Sequence, residues 1–118
     1  MQKTQPCSFL EELLSVLSLL AASPETQLSY LKNLGIEEAV DELALEFDDV
    51  WLQCRNKLQE GLLTETQFTK IENLSVMLDK MSGGENSRMW TEVAVRGDRQ
   101  WSQIRETASR CIVEFLAD

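Results

Sequence analysis

Residues 36–54 read IEEAVDELALEFDDVWLQC, in a segment bounded by Gly35 and Gly61. Seven carboxylates fall between Glu37 and Asp49, with no Lys or Arg among them. Ile36, Val40, Leu43, Phe47, Val50, Cys54 and Leu58 recur three and four residues apart. That is the period of an α-helix with one buried side and one wet side. The pattern predicts a single helix over 36–60, about 40 Å long at the α-helical rise. On a helical wheel, Glu37, Asp41 and Asp48 form one flank of the apolar side, and Glu38, Glu42 and Asp49 the other. Leu45 and Leu52 lie opposite the core, one heptad apart, between those flanks. Two readings follow. Either the leucines are an apolar pair ringed by charge, suited to a basic protein surface, or a neighbouring helix covers them and the acids form a solvated rim.

The rest of the chain reads as helix on both sides. Ser8 and Glu11 match a capping box, followed by Leu10, Leu13, Leu14, Leu17 and Leu20 on a helix over 9–22. Residues 1–7 are expected to be a loose start. The apolar run 13–22 has the length of a signal-peptide core, but Glu11 and Glu12 stand where a positive flank belongs, so a buried helix is expected. Ser23-Pro24 starts a second helix, lined by Leu28, Leu31 and Leu34 and ended by Gly35. Thr64 and Gln67 form another capping box, with Phe68, Ile71, Leu74, Leu78 and Met81 inward and Gly83-Gly84 as the stop. Residues 85–97 are irregular, with room for a short helix or two. Asp98 caps a final helix whose stripe is Trp101, Ile104, Ala108, Cys111, Ile112, Phe115 and Leu116. No alternating strand pattern of useful length is present. The expected fold is an all-α, single-domain bundle over 1–118, of about five helices with one long central acidic helix.

Composition narrows the function. A net charge of −9 argues against binding DNA, RNA or an anionic membrane, and favours a basic protein partner. No apolar run approaches transmembrane length. The three cysteines, Cys7, Cys54 and Cys111, have no short spacing, so neither a disulfide framework nor a zinc site is expected; a reducing, cytoplasmic compartment is. Cys54 and Cys111 read as small core residues. Histidine is absent, and with it the commonest general base and metal ligand. Trp101 lies on the last helix's apolar stripe and Trp51 borders that of the acidic helix, so both read as structural, whereas Trp90 reads as a plug over the core or else an exposed anchor. Arg88, Arg96, Arg99, Arg105 and Arg110 make the second half less acidic and could pair with the acidic helix, Arg96 and Arg99 being the exposed candidates.

An enzymatic reading uses the same acids. Glu37-Glu38-x-x-Asp41 is similar to the metal motif of all-α nucleoside-triphosphate pyrophosphatases, with Glu46-x-x-Asp49 a loose second motif. In that family the second motif lies on a later helix facing the first. Here both fall on one predicted helix, and no Lys or Arg cluster follows to hold phosphates. No catalytic residue, cofactor or metal is therefore assigned.

The segments LALEFDDVW (43–51), GLLT (61–64), KMSGGENSRMWT (80–91) and DRQWSQIRETA (98–108) together resemble small acidic bacterial immunity proteins. Such proteins are encoded beside polymorphic or contact-dependent toxins. The resemblance covers 28–118 and implies a cytosolic, non-enzymatic protein that neutralises a cognate toxin. Nuclease toxins tend to be basic, and an acidic inhibitor mimics the charge of their substrate. The expected partner surface is Glu37, Glu38, Asp41, Glu42, Leu45, Glu46, Asp48, Asp49 and Leu52. A self-associating adaptor, forming a weak homodimer through the same leucines, is the remaining alternative.

Overall fold

Short-range capping chemistry sets most of the helix ends. In the computed structural model, which describes residues 6–35, 40–82 and 84–116 (backbone only for 6, 7 and 84–86), the described residues form six α-helices and one 3-10 segment. Helix α1 spans Pro6–Ala21, starting ahead of the Ser8 cap expected from the sequence. Proline needs no hydrogen-bond partner for its nitrogen and has a helical φ built in, so Pro6 begins the helix and Ser8 falls inside the first turns. Helix α2, Pro24–Asn33, starts as expected: the Ser23 Oγ accepts from the Thr26 N–H at 3.2 Å. Gly35 follows it with φ +76°, a left-handed conformation that glycine adopts without strain.

Helix α3 spans Glu42–Gln59, several residues shorter at its start than the 36–60 expected. Ile36, Glu37, Glu38 and Ala39 lie outside the described residues, and Val40 and Asp41 form a turn. Two forces favour the later start. Val40 is fully buried in that turn. Beginning at Glu42 also sets Asp41 and Glu42 at the positive end of the helix rather than inside it, where like charges four apart repel. The far end is a Schellman motif: Gly61 has φ +84°, its N–H donates to Leu58 O at 3.1 Å, and the Leu62 N–H donates to Lys57 O at 2.9 Å.

Helix α4, Glu65–Lys80, opens with the expected capping box. Thr64 Oγ1 accepts from the Gln67 N–H at 3.1 Å, and Gln67 Oε1 accepts from the Thr64 N–H at 2.9 Å. The irregular segment resolves into a 3-10 turn over Gly84–Trp90 and a short α5, Glu92–Gly97, capped by Thr91. Helix α6, Arg99–Leu116, starts at Asp98, whose Oδ1 accepts from the Gln100 N–H at 2.8 Å. None of these helices is long and apolar enough to cross a membrane.

Four helices surround the core, each packed on two neighbours: α1 on α3 and α6, and α4 on α3 and α6. The buried stripes are Leu13, Leu17 and Leu20 of α1, Leu43, Phe47, Val50 and Cys54 of α3, Ile71, Leu74 and Leu78 of α4, and Trp101, Ile104, Ala108 and Cys111 of α6. Two leucines depart from expectation, because Leu34 and Leu116 sit at helix ends beyond the core and are exposed. Trp90 acts as the plug: its indole N–H donates to Met81 O at 2.7 Å, and its ring meets Trp101 edge-on at 5.5 Å. Trp101 in turn donates to Met89 O at 2.7 Å.

Helices α2 and α5 close the end where α1 stops and α6 starts, and a polar side chain holds them there. Gln27 is fully buried. Its Nε2 donates to the carbonyls of Leu19 (3.1 Å) and Leu20 (3.0 Å), satisfying the last turn of α1. Its Oε1 accepts from Arg105 Nη1 at 3.2 Å, and the same nitrogen reaches Val95 O at 3.0 Å. Burial pushes the Arg105 guanidinium below its usual pKa, while nearby Glu25 acts in the opposite sense. Arg105 therefore serves this junction and not the acidic helix.

Gln27→Leu keeps the volume but removes the contacts of two carbonyls and a guanidinium. It should lower the unfolding free energy by about 2 kcal/mol, the cost of stranding buried polar groups. Urea unfolding followed by tryptophan fluorescence measures this. A loss below about 0.5 kcal/mol, the range of ordinary surface changes, would remove Gln27 from its proposed place.

Candidate interaction surface

The outer face of α3 is open. Leu45 is 52% exposed and Leu52 73%, so no neighbouring helix covers either leucine. Asp41, Asp48 and Asp49 are exposed around them, while Glu42 and Glu46 are half-buried. Glu37 and Glu38, also expected on this face, lie outside the described residues. Among the described residues no Lys or Arg forms an ion pair with Asp41, Asp48 or Asp49. The described pairs lie elsewhere: Arg96 with Glu25 at 3.7 Å, Arg110 with Glu106 at 3.2 Å and Lys57 with Glu60 at 3.5 Å. The internal pairing of the later arginines with the acidic helix is thus absent at these three acids, because the folded chain directs Arg96, Arg105 and Arg110 to other partners.

Glu46 is engaged within the fold. Its Oε2 accepts from the Tyr30 hydroxyl at 2.6 Å, joining α2 to α3. The hydrogen bond to Glu46, followed by burial and the charges of Glu46 and Glu42, pushes the Tyr30 pKa up to about 12. A phenol donating to a carboxylate keeps its proton more tightly than one in water.

A groove of about 460 Å³ runs beside the leucines, between α3 and α4. Ala44, Phe47, Trp51 and Leu78 line its depth; Leu45, Asp48 and Leu52 flank it on α3, and Ser75, Val76, Asp79 and Ser82 on α4. Val76 is 47% exposed. A second hollow, lined by Asp41, Ala44, Leu45, Ser82, Ser87 and Trp90, shares Ala44, Leu45 and Ser82 with the groove and extends it past the start of α3. The lining of both contains three carboxylates and no base. Trp51 is held in place by stacking on Phe47 (6.3 Å, 10°) and Phe68 (5.2 Å, 29°), with the Arg55 guanidinium over Phe68 at 5.3 Å. The helical wheel places Leu45 and Leu52 but misses the α4 wall. Val76 was the available signal, an apolar residue out of phase with Ile71, Leu74 and Leu78.

Among the described residues this surface is an apolar groove edged by carboxylates. Among the described residues no three His, Cys, Asp or Glu side chains converge to hold a metal ion. Glu37 and Glu38, the first half of the pyrophosphatase-like motif, are outside that set. Cys54 and Cys111 are buried and free, and burial pushes their thiols up to about 12 and about 11. Both stay protonated at neutral pH, the unreactive form.

Tyr30 is the sole tyrosine, so the ultraviolet absorbance of phenolate reports it alone. Its midpoint should lie near 12, and Glu46→Gln should bring it down toward the ordinary value of about 10. Because the folded pKa is the higher one, the stability this contact adds is fully present below about pH 10 and is lost as pH rises through 12. A midpoint that Glu46→Gln leaves unchanged would contradict the assignment. No family model matches this chain, and no match is found among the curated proteins or the solved structures.

Proposed function

We propose that the chain is a non-catalytic module that binds a basic protein, acting as an immunity protein that blocks a nuclease-type toxin in the cytoplasm. The observation that carries this reading is the open face of α3, with Leu45 and Leu52 uncovered among Asp41, Asp48 and Asp49, acids with no ion-pair partner among the described residues. Exposed leucines desolvate readily, and a surrounding ring of charge steers and orients a partner of opposite sign. A net charge of −9 extends that attraction over the whole molecule. Asp41 and the Asp48–Asp49 pair, about two helical turns apart, offer a basic toxin the kind of anionic surface it uses for a nucleic-acid backbone. Neutralisation is then occlusion: the toxin's basic surface is occupied, and no bond is made or broken.

The test is co-production with a basic toxin domain encoded beside this chain. The chain should restore growth, and the doubly substituted Leu45→Arg/Leu52→Arg chain should not. Both positions are exposed, so the double variant should fold with its helical circular dichroism unchanged. Association should also slow as salt is raised. Full protection by the double variant moves the binding surface elsewhere, and the absence of any basic toxin domain beside the gene overturns the immunity role.

A further inference from the structure

Resting on the reading of α3 as a surface for a basic partner, we infer that the groove between α3 and α4 receives an amphipathic basic helix, its apolar side on Leu45, Leu52, Val76 and Trp51. Geometry favours a helix. Leu45 and Leu52 lie two turns apart along one line, about 10 Å, and from Asp41 to Leu52 the combined hollow follows about 16 Å of α3. A helix laid alongside repeats its apolar residues at the same interval and meets both leucines in register. An extended segment has less to hold. Its backbone groups need a strand edge, and the walls here are helices whose own backbone groups are bonded internally.

Charge selects the occupant. Asp41, Asp48 and Asp79 line the groove and its extension without a base among them. Lys or Arg flanking the apolar stripe of a docked helix would meet these acids while its apolar residues cover the leucines. A second copy of this chain would instead bring the same acids against their own images. The apolar depth is firm as well: Trp51 is held between Phe47 and Phe68, so little side-chain freedom remains to be lost on binding. Val76 and Asp79 of α4 thereby join the surface that α3 begins.

The probe is a synthetic Leu/Lys peptide of about four helical turns with leucines at helical spacing. It is compared with a scrambled peptide of identical composition and with a Leu/Glu version. In a nuclear magnetic resonance titration of the full chain, the Leu/Lys peptide should move the methyl signals of Leu45, Leu52 and Val76 and the Trp51 indole signal. Val76→Asp should weaken binding at least about tenfold, although the new charge attracts the peptide, and Val93→Asp, at an exposed position of α5, should not. Equal affinity for the scrambled peptide, with no effect of Val76→Asp, would overturn the helical occupant while leaving the acidic α3 surface standing. A dimer in sedimentation that Val76→Asp disperses would give the groove to a second copy. Loss of toxin protection in the Leu45/Leu52 double variant reads the broader proposal separately.

Discussion

Gln27 meets three requirements at once. The last turn of α1 ends inside the molecule, where unsatisfied carbonyls are costly, and the Gln27 amide supplies hydrogens to Leu19 and Leu20. The same side chain then accepts from Arg105, which also bonds Val95, so α1, α2, α5 and α6 meet through one amide and one guanidinium. Apolar burial specifies that the four long helices pack, but permits sliding along their axes. A directional network fixes the positions of the ends relative to one another. With that end closed, Tyr30 on α2 reaches Glu46 on α3, and the start of α3 is tied to the rest of the bundle.

What could be read from the sequence follows from how far apart the deciding residues are. Ser23-Pro24, Thr64 with Gln67, Asp98, and Gly61 each set a helix end within a few residues, and all four act as their sequence predicts. The apolar stripes were equally readable, since period alone marks the buried side. The starts of α1 and α3 were harder. Ser8 with Glu11 is a valid local box, but Pro6 is available earlier, and α3 begins where Val40 finds the core. Gln27 gave no sign of burial, because its partners are backbone carbonyls and an arginine 78 residues away.

The candidate surface divides the same way. The wheel put Leu45 and Leu52 opposite the core, but whether a neighbour covers them depends on how many helices surround α3. Each helix of a four-membered ring touches two others and keeps an outer side, and that arrangement leaves the leucines uncovered. Which helix forms the other wall of the groove is a tertiary fact as well. Ser75, Val76 and Asp79 therefore gained meaning only once α4 was placed beside α3.

The Phe47–Trp51–Phe68 stack has a consequence for how such a surface changes over generations. Phe47 and Phe68 belong to the buried core while Trp51 also lines the groove, so the stack joins the two, and Leu45, Leu52 and Val76 stand exposed at the groove's edge. Substitutions at those exposed positions change the outer surface at little cost to folding. A lineage facing a changing partner could re-letter positions 45, 52 and 76 repeatedly and keep the same scaffold. Under the proposed role, the exposed edge of the groove is free to vary while the aromatic residues behind it hold the architecture.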